Sequence, residues 1–291
     1  MGILDRLLDR QPPRDAETAA RFLAEAEAAF REGDVVHAVQ LAQDAARSRH
    51  LEPAAEVRAL LIESRGLRVT ADRSRPPRLR ALRSAERASA LDPGSFTVAL
   101  ELGMACYELG DMERAEAAFR VATGLEPRSA RAWAMLGRTL PYLDRLADGD
   151  ACAVTAARLD PYRFAVPFRV DEEDFHAMAV VEWHDIPAAY QEALGDTDVV
   201  IQALPSRDMI EHGFVTPTTL GVYSGSGRPR SFTGYTETHR WPEQIILFQR
   251  IIETYSRTRA ELQAQVRLTL RHEIGHNLGL DHSALHEMGL A

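Results

Sequence analysis

The sequence predicts two domains of different class: an N-terminal all-α solenoid of repeated helix pairs, then a small C-terminal α+β domain. Three observations carry that division. The triplets Leu91-Asp92-Pro93, Leu125-Glu126-Pro127 and Leu159-Asp160-Pro161 recur at a spacing of 34 residues, a period that belongs to stacked helix pairs. Further along, short apolar runs read as strands: Val199–Leu204, Gly221–Tyr223 and Gln244–Gln249. Near the C-terminus, His272, Glu273, His276, Gly279 and His282 stand in the order H-E-x-x-H-x-x-G-x-x-H. At 291 residues the chain exceeds the usual size of one core.

The repeats come first. Their period is that of tetratricopeptide repeats. Between Pro93 and Pro127, the residues Leu102, Gly103, Gly110, Asp111, Ala115, Phe119 and Ala122 occupy the usual consensus positions, and Trp133, Leu136, Gly137 and Ala156 do so in the next unit. An earlier unit contains Gly33, Asp34, Ala38 and Ala45 and closes on Leu51-Glu52-Pro53. From Pro53 to Pro93 is forty residues, and the six-residue excess is expected as a longer loop over Arg73–Arg80. The expected organisation is a tail or capping helix over 1–15, about four helix pairs over 16–161, a packed linker over 162–170, and the second domain over 171–291. Small Ala and Gly let paired helices approach, large Trp, Leu and Phe fill the space between pairs, and proline ends each second helix. Stacked pairs present a concave surface suited to a protein or peptide.

In the second domain, Asp171-Glu172-Glu173-Asp174 suits a helix N-terminus. That helix runs through Phe175, Met178 and Val181, with His176 and His184 as surface or packing residues. Of the three strands, the last is the candidate sheet edge, where an extended peptide could align. The final helix starts at Thr258, three residues before Glu261, which is the spacing of a capping box. Leu262, Val266, Leu270, Ile274 and Leu278 form one apolar stripe along it. Residues four apart on a helix lie one above the other, so His272 and His276 can share a metal ion, with Glu273 about 100° round from His272. Gly279 can end the helix in a left-handed turn and swing His282 back as a third ligand. Asp281 is the alternative, as ligand or as acceptor for an imidazole N–H.

The run Val266–Leu280, with Leu285-His286-Glu287-Met288-Gly289 behind it, resembles the minimal bacterial zincin-like metallopeptidases. The resemblance covers residues from about Arg169 to Ala291 and implies a small α+β zincin-like domain. It implies zinc as cofactor, His272 and His276 as ligands, Glu273 as general base and a peptide as substrate. Members often carry aspartate where this chain has His282, so the family leaves the third ligand between His282 and Asp281. The metzincin pattern places a histidine there, but only nine residues follow His282, and Met288 reads as packing in a last short helix, Ser283–Leu290. The chain is therefore not assigned to the metzincins. Tyr223, Tyr235, His239 and Arg250 are open candidates for an oxyanion donor.

Two functions follow. One is a zinc-dependent peptidase whose solenoid recruits a protein partner or substrate. The other is a non-catalytic binding scaffold with a structural zinc, in which Asp281, His286 or Glu287 would supply a fourth ligand. A net charge of −9 argues against nucleic acid as main partner. The run Arg73–Arg87 is a local basic exception. No 18-residue apolar run indicates a membrane span, and charges interrupt Met1–Leu8 where a signal core would need none. Two cysteines, Cys106 and Cys152, make no disulfide framework, so the expected compartment is the cytoplasm.

Overall fold

A computed structural model describes residues 15–71, 74–187, 191–192, 194–195, 197–224 and 243–278. Residues 1–14 of the expected tail or cap at 1–15, and the last helix at 283–290, lie outside the described residues. The chain divides into two compact units, Met1–Cys152 and Ala153–Ala291, and each is described by itself.

The N-terminal unit is a run of antiparallel helices: α1 (Ala16–Glu32), α2 (Val35–Ala46), α3 (Pro53–Thr70), α4 (Arg75–Leu91), α5 (Phe96–Glu108), α6 (Met112–Leu125), α7 (Ala130–Thr139) and the start of α8 (Leu146–Leu159). Each of α1–α7 packs on its sequence neighbours, and α1, α3, α5 and α7 also pack next but one. That pattern is a solenoid. The tight turns repeat residue for residue: Gly33 and Gly110 take φ of 86° and 85°. Asp34 and Asp111, which follow them, cap the next helix by accepting from the His37 and Arg114 amides. Only glycine takes that left-handed backbone without strain. The core between helices is alanine-rich, with Ala19, Ala26, Ala42, Ala85, Ala88, Ala115 and Ala122 wholly buried, and Tyr107, Phe119 and Leu136 fill the wider gaps.

The expected loop over Arg73–Arg80 is a correction. Helix α4 begins at Arg75 with Pro76 and Pro77 in its first turn. Proline is tolerated there because those N–H groups have no intrahelical acceptor in any case. The extra residues lengthen the pair instead: α3 and α4 have 18 and 17 residues, against 13 and 14 in α5 and α6. A charge network links α3 to α5. The Glu101 carboxylate on α5 accepts from Ser64 Oγ at 2.8 Å and from Arg68 Nε at 2.8 Å, with Arg65 Nε at 3.3 Å. Arg68 also pairs with Glu108. Burial pushes the Glu108 carboxyl above its usual range, against the pull of Arg68 and Arg78.

The C-terminal unit carries α9 (Glu172–His184), β1 (Asp198–Gln202), α10 (Arg207–Glu211), β2 (Gly221–Ser224), β3 (Gln244–Phe248), α11 (Gln249–Thr254) and α12 (Arg259–Asn277). Among the described residues the sheet has the order β1-β3-β2, with β3 parallel to β1 and antiparallel to β2. This corrects the expected edge: β3 lies in the middle. Its Ile245, Ile246 and Leu247 are at most 3% exposed, whichever face they point to, and a run apolar on both faces is what a central strand needs. β2 flanks it, and α12 packs against both β2 and β3.

One core joins these elements: Phe175, Met178 and Ala179 of α9, Tyr223 of β2, Ile245 and Leu247 of β3, Ile252 of α11, and Leu262, Val266, Leu270 and Ile274 of α12. Leu278 packs at its border. Segment 168–170 is tied down as well. Phe168 N–H donates to Ser256 C=O at 2.8 Å, and the wholly buried Glu253 accepts from the Val170 amide, Arg169 and Gln249.

Candidate metal centre

Helix α12 holds the motif because each of its faces is committed. Thr258 caps it, accepting from the Glu261 amide at 3.2 Å, while the Glu261 carboxylate accepts from the Arg257 amide at 2.7 Å. Leu262, Val266 and Leu270 are wholly buried and Ile274 is 5% exposed, so this stripe anchors the helix.

A second stripe, again at four-residue intervals, faces α9. Arg259 pairs with Asp174 at 3.0 Å and Gln263 donates to Met178 C=O at 3.2 Å. Arg267 meets Glu182 at 2.7 Å and Arg271 meets Asp185 at 3.2 Å. Every cation in that ladder is arginine, and the chain contains no lysine, which suits forked contacts to carboxylates. Glu182 is only 2% exposed. Burial alone would raise its carboxyl, but hydrogen bonds from Arg267 and Gln263 and the charges of Arg267 and Arg271 hold it below the usual range.

The third stripe is the motif. The Nε2 atoms of His272 and His276 converge to 3.1 Å, with ring centroids 4.6 Å apart and planes at 89°. Two nitrogens sharing a tetrahedral zinc at about 2.0–2.1 Å each would stand about 3.3 Å apart. The pair therefore fits a shared ion as well as it fits a shared proton. Both rings are partly buried, so a cation there would be partly desolvated, where imidazole ligands count for more than in water.

Glu273 lies beside them, 7% exposed, and its Oε2 accepts from the Tyr223 backbone N–H at 2.7 Å. The carboxylate is thus held by a backbone donor, on the sheet side of the histidines. Among the described residues no third His, Cys, Asp or Glu completes a metal site. His282, Asp281, Gly279, His286, Glu287 and Met288 lie outside the described residues.

Residues 194–290 match the zincin-like metallopeptidase family. The match runs from the residues before β1 through the whole motif, including His282. Residues 79–139 match a tetratricopeptide repeat model, so the repeats stand N-terminal to the zincin-like unit, in the order the sequence predicts. No curated protein matches the chain. The solved structures that resemble it include MamA 41-end from Desulfovibrio magneticus RS-1 and a MamA RS-1 ArsTM double mutant. Each is 20% identical over 50% of this chain and 77% of its own, with TM-scores of 0.44 and 0.43.

The other candidate residues separate from the centre. The Tyr223 side chain is 2% exposed in the core, and its backbone N–H is the group that meets Glu273. The Arg250 guanidinium stands 3.7 Å from the buried Glu253 carboxylate. Tyr235 and His239 lie outside the described residues. His176 and His184 line a different cavity of about 200 Å³ between α9 and β1, with Trp183 and Asp198. No helix among the described residues is long and apolar enough to cross a membrane. Cys106 and Cys152 are free and buried, and burial pushes the Cys106 thiol up to about 12.

Sequence reasoning missed two contributors. One is the Tyr223 amide, which no side-chain motif could mark. The other is the α9–α12 ladder, whose signal is the four-residue recurrence Arg259, Gln263, Arg267, Arg271.

Proposed function

We propose that the C-terminal unit is a zinc-dependent metallopeptidase, with His272, His276 and His282 as ligands and Glu273 as general base. Asp281 is the alternative third ligand, or the acceptor that orients an imidazole. The observation that carries the reading is the convergence of the His272 and His276 Nε2 atoms at 3.1 Å beside a buried, hydrogen-bonded Glu273. The family match over 194–290 supports it.

A zinc ion, when bound, supplies Lewis-acid activation of water and of the scissile carbonyl. The remaining work falls to the chain's own groups. Glu273 takes the proton of the attacking water on its carboxylate and hands it to the leaving amine nitrogen as the C–N bond breaks. The Tyr223 amide keeps that carboxylate in place. A peptide is the substrate class that the family match supports. The repeat unit recruits a protein partner or the substrate itself, as stacked repeats with a concave face do. A reducing compartment such as the cytoplasm suits the two free buried thiols.

The test combines metal content, X-ray absorption and hydrolysis of a peptide library by the full-length chain. One zinc with three protein ligands and cleavage lost in Glu273→Gln is the expected result. Zinc with four protein ligands and no cleavage would mean a structural site and a binding role for the chain. Failure to load any metal would overturn both readings.

A further inference from the structure

Glu273 is met from two elements at once. Helix α12 delivers its carboxylate, and β2 meets it with the Tyr223 N–H, 2.7 Å from Oε2. The strand ladder decides which way that N–H points. Phe248 N–H donates to Leu220 C=O at 2.8 Å, and the register pairs Gly221 with Leu247, Val222 with Ile246 and Tyr223 with Ile245. In an antiparallel pair, hydrogen-bonded and non-hydrogen-bonded partners alternate. Counting on from Leu220–Phe248, Gly221 and Tyr223 fall at non-hydrogen-bonded positions. Their N–H and C=O groups therefore face away from β3, and the Glu273 carboxylate caps that outward side of β2.

Such a contact requires strand and helix to lie close, and the space at Gly221 measures how close. A Cβ there would stand 2.8 Å from Thr269 Cγ2, 3.1 Å from the Ile246 carbonyl oxygen and 3.2 Å from Glu273 Cγ. None of these can yield cheaply. The Ile246 oxygen is backbone in the central strand. Thr269 is fixed because its hydroxyl donates to Gln265 C=O at 2.8 Å. Glu273 Cγ belongs to the carboxylate being held. Any residue larger than glycine would push β2 away from α12 and stretch the Tyr223–Glu273 bond. Glycine within a strand commonly marks such a close approach.

We infer that Gly221 is the positioning residue for the general base: its bare Cα lets β2 close on α12, and the Tyr223 amide then fixes the Glu273 carboxylate. The role assigned to Glu273 rests on the hydrolase reading above, but the contact can be tested without it. The experiment is amide hydrogen exchange on the full-length chain, with and without zinc, alongside peptide hydrolysis. In Glu273→Ala the Tyr223 amide should exchange faster by about tenfold or more, as expected for loss of a hydrogen bond to a charged group. The ladder amides of Val222 and Ile246 should keep their protection.

Gly221→Ala should give the same local signature and lower kcat by about tenfold or more with KM and zinc content little changed. Trimming the nearest obstacle should relieve it. Thr269→Ser keeps the hydroxyl and removes the Cγ2 methyl, so Gly221→Ala/Thr269→Ser should recover most of the protection and kcat, while Thr269→Ser alone changes neither.

Three results would overturn the inference: Tyr223 exchange indifferent to Glu273→Ala, Val222 and Ile246 loosened as much as Tyr223 in Gly221→Ala, or no recovery in the double variant. A wild-type chain that cleaves nothing yet shows the Tyr223 response would remove the hydrolase reading and leave the positioning contact standing.

Discussion

The two units hold a buried carboxylate in opposite ways. In the repeat unit, Glu101 and the partly buried Glu108 share Arg68, which is itself 7% exposed, so the cation is buried with its anions. In the zincin-like unit, Glu182 is buried but its partner Arg267 keeps 48% of its side chain in solvent. Burial wins at Glu108, whose carboxyl rises, and the hydrogen bonds win at Glu182, whose carboxyl falls. The wider architecture differs in the same sense. The solenoid is assembled from neighbours in sequence. The zincin-like unit depends on contacts across long separations, Tyr223 to Glu273 and Asp174 to Arg259 among them. A damaged repeat should stay a local matter, whereas damage on α12 should reach the core, the ladder and the site together.

The largest expected effect is chemical and falls on the second unit alone. Glu273→Gln should keep zinc and lower hydrolysis by about 10²–10⁴-fold, the range for a positioned general base. The amide retains an oxygen that can accept from the Tyr223 N–H, so the fold should survive. His276→Ala should instead abolish zinc binding and with it the metal's contribution to stability. Steady-state rates, elemental analysis and thermal melting on the two variants separate these outcomes. A Glu273→Gln protein as active as the wild type would remove Glu273 from the mechanism.

Next comes the ladder. Glu182→Ala removes a carboxylate that accepts from Arg267 and Gln263. Because Arg267 can rehydrate, the cost should sit below that of a wholly buried pair, at about 1.5–3 kcal/mol. Urea denaturation would measure it, with hydrogen-exchange mass spectrometry confining the loss to residues after 153. The matching change at Glu101, which takes one of two carboxylates from the buried Arg68, should cost more, about 3–5 kcal/mol, and loosen the first unit.

Acid sharpens the contrast because the two shifts have opposite sign. The Glu182 carboxyl is depressed, so its stabilisation is complete above the unfolded value of about 4.3 and is lost as pH falls through the lower folded value. The Glu108 carboxyl is raised, so between about 4.3 and its higher folded value the native state binds more protons than the unfolded one. Falling pH through that window therefore favours the first unit. Urea midpoints followed from pH 7 to 3.5 should show the zincin-like unit weakening first. Glu182→Gln should flatten its acid slope, and Glu108→Gln should remove the gain in the repeats. Parallel loss in both units would contradict the assignment of these shifts.

The same contrast explains what was legible in the sequence. A solenoid repeats its own contacts, so Gly33-Asp34 and Gly110-Asp111 announce the same turn twice and the Leu-x-Pro triplets mark the helix ends. The motif helix was legible from cap to Ile274, since Thr258, the apolar stripe and the histidines all obey helical spacing. Strand order was not. The Ile-Ile-Leu run of β3 is compatible with an edge or a centre until its neighbours are known, and those neighbours lie 20 residues or more away in sequence. The double proline at 76–77 misled for a physical reason: it ends helices, but it also opens them. At the site, the histidine pair was written in the spacing, while the hold on Glu273 comes from a backbone amide and a missing side chain. Neither Tyr223 nor Gly221 advertises that role, because it depends on where β2 meets α12.

The smallest effect tests whether the units differ in how damage spreads. Asp111 caps α6 and Thr258 caps α12 by the same kind of bond, accepting from the Arg114 and Glu261 amides at 3.3 and 3.2 Å. Alanine at either should cost about 1 kcal/mol. In the solenoid that loss should appear as faster exchange in α6 and the helices touching it, with zinc content and small-peptide cleavage untouched. In α12 the frayed turn lies fourteen residues before His272, about 20 Å along the helix axis. Zinc affinity should therefore hold, but the Arg259–Asp174 pair in that first turn should loosen, and exchange should rise in α9 as well. Equal, strictly local fraying in both variants would show that the ladder does not couple α9 to the motif helix.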